Sequence, residues 1–155
     1  MTDILELNPK RVFYFFNEIS KIPRPSKHEE QILAWIVTFG NSLGLITKKD
    51  EAGNILISKP ATSGKEHVTP VIFQSHIDMV CEKENDLQFD FYKDPIQMYV
   101  DGEWLRAKGT TLGADNGIGV AIELALMEAT DIPHGPIDFL FTVDEETGLT
   151  GAFRL

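Results

Sequence analysis

Cysteine is almost missing from this chain of 155 residues: Cys81 stands alone, so no disulfide can close within it. A reducing compartment is the simpler setting for such a composition. Positive charge is scarce too. Lys and Arg number 14 against 24 Asp and Glu, a formal net charge of −10. That balance argues against nucleic acid or an anionic membrane surface as the main partner. No apolar run is long enough to span a bilayer, and the opening MTDILELNPKRVFYFF lacks the basic-then-apolar order of a secretory leader. These absences together point to a cytoplasmic protein. No repeat and no low-complexity tract interrupts the chain. What remains is 43% hydrophobic, enough for one domain with a sizeable core.

Periodicity supplies the framework. Val12, Phe13, Phe16 and Ile19 recur at helical spacing from Pro9 to about Ile22, with Asn8 as N-cap and Pro9 in the first turn. Ser26 and Glu29 form a capping-box pair that predicts a second helix from Ser26 to Gly44. LITKKD and NILISKP flank Glu51-Ala52-Gly53 and read as a hairpin. TPVIFQSH is a continuous apolar strand, the pattern of a strand covered on both faces. IQMYV and EWLRA read as a second hairpin turning at Asp101-Gly102. ADNGIGVAIELALMEA predicts a long helix, and PIDFLFTVD a second buried strand. Helices alternating with buried strands give an α/β fold: a mixed, mostly parallel sheet with helices on both faces. In such sheets ligands sit beyond the carboxyl ends of the strands.

Three acidic or imidazole-bearing segments fall at those ends. The first strand delivers His76-Ile77-Asp78, the glycine-rich loop GTTLGADNG delivers Asp115, and the second strand delivers Asp144, Glu145 and Glu146. Each has a bland reading alone. His76 could be a structural histidine, and Asp115 could simply cap the long helix. The loop does not fit the dinucleotide fingerprint, and TSGKEH lacks the first glycine and the hydroxyl residue of a phosphate loop. Taken together, one imidazole and several carboxylates match the N/O ligand preference of zinc, manganese or cobalt. A divalent cation would also neutralise three consecutive acids that otherwise repel one another. In the H-x-D spacing, Asp78 can hold the His76 imidazole in one tautomer while the other nitrogen binds metal.

SHIDMV, GTTLGADNGIG and TVDEETGLTGA, in this order, resemble the aminoacyl-histidine (Xaa-His, carnosine-cleaving) dipeptidases of the two-zinc metallopeptidase superfamily. H-x-D and D-E-E are shared across that superfamily, whereas VCEKEN, DFYKDPI and GTTLGADNGIG point to the dipeptidase branch. The resemblance implies that His76 and Glu146 are metal ligands and that Asp115 bridges two ions, through an unusual cis peptide to Asn116. It makes Glu145 the general base acting on a di-metal-activated water, and Asp78 the residue that orients His76. The implied cofactor is Zn2+, two per complete site, with Mn2+ or Co2+ as substitutes, and the implied substrate is an Xaa-His dipeptide. Members of the family are longer. They carry further ligands and a lid or dimerisation domain, so residues 1–155 are expected to form the N-terminal part of the catalytic domain of a homodimer. A piece lacking those ligands would hydrolyse little by itself. Two other readings stay open: a tripeptidase or N-acyl amino acid hydrolase of the same superfamily, and a non-catalytic metal-binding or interaction module. His28, His67 and His134 fall outside the motifs, and His134 reads as a loop residue.

Overall fold

A computed structural model describes residues 3–155. Helix α1 is Lys10–Ile19, α2 is Glu30–Ser42 and α3 is Ala114–Glu128. Strands β1 (Ile46–Lys49), β2 (Ile55–Lys59), β3 (Val71–His76) and β6 (Ile137–Thr142) form one sheet in the order β1-β2-β6-β3. Strands β4 (Met98–Asp101) and β5 (Trp104–Ala107) form a separate hairpin. The sheet is mixed, as expected for the α/β class. Its β3–β6 pairing is parallel while β1–β2 and β2–β6 are antiparallel, so antiparallel pairing prevails rather than parallel.

Both hairpins form. In the second, Asp101 pairs with Trp104, so Gly102 and Glu103 make the turn and Asp101 closes the ladder. Helix α1 begins one residue after Pro9, which sits at the cap with no side-chain cap hydrogen bond, so Asn8 does not cap it. Helix α2 starts at Glu30, four residues later than the capping-box reading. The reason is competition for the same atoms: Ser26 Oγ donates to Asp78 instead, and Glu29 accepts from Lys27 and Asp144 backbone N–H groups.

The core follows from the strand period of two. Ile55 and Ile57 of β2 and Ile137, Phe139 and Phe141 of β6 point to one face. There they meet Phe15, Phe16 and Ile19 of α1, Ile32 and Ile36 of α2, and Val120 and Leu124 of α3. The opposite face is less covered: Leu56 and Leu140 are only half-buried. Among the described residues, then, helices cover one face of the sheet rather than two. Gly40 of α2 lets that helix close on the sheet, because a Cβ there would lie 2.8 Å from Ile57 Cδ1. Strand β3 also departs from expectation. It lies at the sheet edge, with Val71 50% and Ile72 62% exposed, and only Ser75 and His76 are buried. Its apolar run matches a doubly covered strand, yet one edge and most of its length stay open.

Helix α3 carries a buried acid against this strand. Glu123 is 2% exposed, and its Oε2 and the nearby Ser75 Oγ have no hydrogen-bond partner. Burial pushes the Glu123 carboxyl up to about 8, with the poorly aligned Ser75 hydroxyl as the counterweight. The unfolded chain ionises this group near its ordinary value of 4.5, so between that pH and about 8 the folded state holds the extra proton. Stability from this group is therefore full below pH 4.5 and is lost as pH rises toward 8. Glu123→Gln removes the titration at nearly constant volume. In urea unfolding it should be more stable than wild type at pH 8 by more than about 1 kcal/mol, and the gap should close by about pH 4.

Candidate metal centre

Parallel pairing of β3 with β6 sets His76 beside Thr142, so both strands end at the same level. The segments leaving them, Ile77-Asp78 after β3 and Val143 to Glu146 after β6, are thereby brought together. The ladder runs on for one more bond, from Ile77 N–H to the Thr142 carbonyl. The third contributor is the entrance of α3. Gly113 caps that helix in the left-handed region (φ 68°), which a Cβ would disfavour. Asp115 does not cap the helix. It lies just inside, with extended φ/ψ of −88° and 111°, and its peptide bond to Asn116 is cis.

His76 Nε2 lies 3.1 Å from Asp115 Oδ1 and 3.8 Å from Glu145 Oε2. On the other side of the ring, Nδ1 is 3.3 Å from Asp78 Oδ1, near enough for an ion pair but not aligned as a hydrogen bond. Burial alone would lower the imidazole pKa; the contacts to Asp78 and Asp115 and the charge of Glu145 override it and raise it to about 9.

Asp78, fully buried, joins the segments. Its Oδ1 accepts from the Glu145 N–H, and its Oδ2 from the Glu146 N–H and from Ser26 Oγ. Burial works to raise its pKa, but His76, Ser26 and the two amides win and hold it near 2. One carboxylate therefore faces the imidazole and fixes the backbone of both glutamates. Asp144 shapes the same turn. It sits in the left-handed region at φ 50°, with its N–H donating to Glu29 Oε1 and its carboxylate accepting from Thr147 and Thr150 hydroxyls. The Asp144 carboxylate is thus taken up inside the turn, whereas those of Glu145 and Glu146 are not. Burial also pushes the Glu29 carboxyl up, against its backbone hydrogen bonds.

His76, Asp115 and Glu146 each offer one ligand atom, all within 4.8 Å of one another. Burial pushes the Glu146 carboxyl up; His76 opposes this, and the charges of Glu145, Asp115 and Asp78 add to the rise. Among the described residues no Lys or Arg side chain forms an ion pair with Asp115, Glu145 or Glu146. An imidazole nitrogen backed by a carboxylate, with uncompensated acid oxygens converging on its far side, fits a divalent cation that takes mixed N/O ligands. Glu29, Asp78 and Asp144 also converge. Both oxygens of Asp78 and Asp144 are taken up by backbone amides and hydroxyls, and Glu29 accepts two amides on Oε1, so this second group braces the turns.

His28, His67 and His134 stay outside the cluster. His134 bonds locally, with Nδ1 near the Gly135 carbonyl and its backbone tied to Thr62. Residues that sequence reasoning missed are Glu29 as an acceptor for Asp144, Ser26 as a donor to Asp78, and Arg24. The side chain of Arg24 is buried against the carbonyls of Ile77, Asp78 and Gly113.

Residues 72–155 match peptidase family M20/M25/M40. The whole chain is 50% identical to part of a protein named cytosol non-specific dipeptidase from Escherichia coli (strain K12), covering 32% of it. The crystal structure of an aminoacylhistidine dipeptidase from Vibrio alginolyticus is 52% identical with a TM-score of 0.97, over 99% of this chain and 31% of that one. A tripeptidase structure from Staphylococcus aureus matches at 28% identity and a TM-score of 0.77, over 96% of this chain and 40% of that one. The chain thus spans about a third of the length of its two more similar relatives.

Two substitutions separate the bracing carboxylates. Asp78 uses both oxygens on N–H donors, so Asp78→Asn must turn an NH2 toward an amide and should cost about 1–3 kcal/mol. Glu29 accepts both of its amides on Oε1 alone. Glu29→Gln can keep that oxygen in place and should cost less than about 1 kcal/mol. Urea unfolding in a chelator measures both without any contribution from metal.

Proposed function

The chain belongs to peptidase family M20/M25/M40, and from that we propose that it forms part of the catalytic domain of a metal-dependent dipeptidase acting on Xaa-His substrates. The observation that carries the reading is the convergence of His76, Asp115 and Glu146 ligand atoms within 4.8 Å. His76 Nε2, Asp115 and Glu146 would hold zinc, or manganese or cobalt, with Asp115 shared between two ions. Since the chain spans about a third of its relatives' length, other ligands and the substrate-binding surface would come from beyond these residues. The metal's contribution is Lewis acidity, which polarises an amide carbonyl and lowers the pKa of water.

The protein's own groups then divide the work. Asp78 keeps the Nδ1 side of His76 occupied, which leaves Nε2 as the nitrogen facing Asp115 and the glutamates. Through the Glu145 and Glu146 amides it also fixes where those two carboxylates start. The Asp144 carboxylate is spent inside the turn, which leaves the two glutamates to divide the remaining roles. Glu146 serves as the ligand, and Glu145 is the general base that takes a proton from water and passes it to the leaving amine.

Names of relatives differ in breadth: one is a non-specific dipeptidase, one an aminoacylhistidine dipeptidase, one a tripeptidase. The two more similar ones support dipeptides over tripeptides, and the GTTLGADNGIG resemblance favours the Xaa-His branch. A cytoplasmic location agrees with the name of the Escherichia coli relative, and among the described residues no helix is long and apolar enough to cross a membrane.

Full-length protein carrying Glu145→Gln should retain its metal, read by elemental analysis, while hydrolysis of carnosine falls by roughly 10²–10⁴. Undiminished turnover would remove Glu145 from the mechanism. Equal rates on carnosine and on dipeptides without histidine would replace Xaa-His preference with broad dipeptidase action.

A further inference from the structure

Arg24 is a cation in the wrong kind of place. It is 2% exposed, and among the described residues no carboxylate pairs with it. Burial pulls its pKa down to about 10, while Asp78 and Cys81 oppose the fall, so it stays charged at neutral pH. Its hydrogen bonds go to main-chain carbonyls. Nη1 donates to Ile77 O at 3.1 Å and to Asp78 O at 3.3 Å, and Nη2 donates to Gly113 O at 2.6 Å. The Arg24 carbonyl in turn accepts from the Met79 N–H at 3.1 Å. One residue thus holds the turn after β3 from both its backbone and its side chain, and reaches across to the loop that opens α3. Space for the guanidinium comes from two glycines: a Cβ at Gly113 or Gly117 would lie 2.5 Å or 2.7 Å from Nη2.

We propose that Arg24 is a positioning residue that sets the His76–Asp78 turn and the Gly113–Asp115 entrance of α3 at a fixed separation, so that His76 Nε2 and Asp115 Oδ1 meet. This deepens the proposed function and rests on it only for the identity of what binds. The chemistry favours Arg for a geometric reason. A planar fork presents two nitrogens in fixed directions to two separate backbones, whereas a single ammonium keeps the charge but reaches one of them. Apart from the His76–Asp115 contact itself, no direct hydrogen bond joins residues 76–78 to residues 113–115 among the described residues. Thr111 ties the loop to Val80 and Glu82 two residues further out, and at the level of the cluster itself the bridge is Arg24.

Arg24→Lys in the full-length protein, read in two ways, tests this. Amide hydrogen exchange without metal follows Met79 N–H and Gly117 N–H, whose acceptors are Arg24 O and Gly113 O. Both should exchange at least about tenfold faster while β2 and β6 keep their protection. Co2+ titration, followed by its visible d–d absorption, should show affinity about 10- to 100-fold weaker, the usual cost of losing a group that orients ligands. A merely structural Arg24 would lower the unfolding midpoint and leave both readouts of the folded protein at wild-type values; that result, or loosening of one segment without the other, overturns the proposal. Should Arg24→Lys unfold the sheet, Gly117→Ala, at an ordinary helical φ, presses a methyl on Nη2 and the Phe16 ring with the charge retained, and the same two readouts decide. Wild-type protein that binds no Co2+ would sink the metal reading, while the exchange measurement still rules on Arg24.

Discussion

Everything at the carboxyl ends of the strands hangs on where one buried carboxylate finds its donors. Asp78 is placed in a fully enclosed position, and an ionised carboxylate there is costly unless its oxygens are satisfied. The two backbone amides, the Ser26 hydroxyl and the His76 ring meet that demand. Because the donors come from three separate stretches of chain, satisfying one acid aligns all of them. The fold can tolerate a concentration of like charge at this edge because the innermost acids are taken up by main-chain dipoles. Only the outermost ones are left for an external cation.

That hierarchy explains what could be read from the residues alone. The segments carrying His76, Asp78, Asp115, Glu145 and Glu146 were legible because they fall at strand ends and a helix start, where ligands gather in such sheets. An imidazole among carboxylates also suits a cation. The division of roles among them came from the family resemblance. The supporting residues were not legible. Ser26 and Glu29 have the spacing of a capping box, and local geometry would satisfy them that way. Long-range donors and acceptors, Asp78 and the Asp144 amide, bind them instead and shift the start of α2 to Glu30. Arg24 sits in the string IPRPSKHEE with nothing to mark it, since its partners are carbonyls that every residue possesses.

The fold divided similarly. Strands and helices were recoverable from period, and so was the mixed α/β class. Pairing directions and sheet order were not, since an apolar run records how hydrophobic a strand is and not which neighbours it has. β3 shows the limit: its composition is that of a central strand, and its position here is an edge.

That edge has a cost in solution behaviour. Val71 and Ile72 lie exposed along a strand with no lysine, proline or bulge to interrupt it, and among the described residues its outer N–H and C=O groups have no ladder partners. A strand of that kind is a template for pairing with another chain. Whenever β3 is uncovered, during synthesis or after partial unfolding, self-association through this strand competes with correct assembly. The strand open to self-association is therefore the same one that carries His76 to the cluster with Asp115 and Glu146.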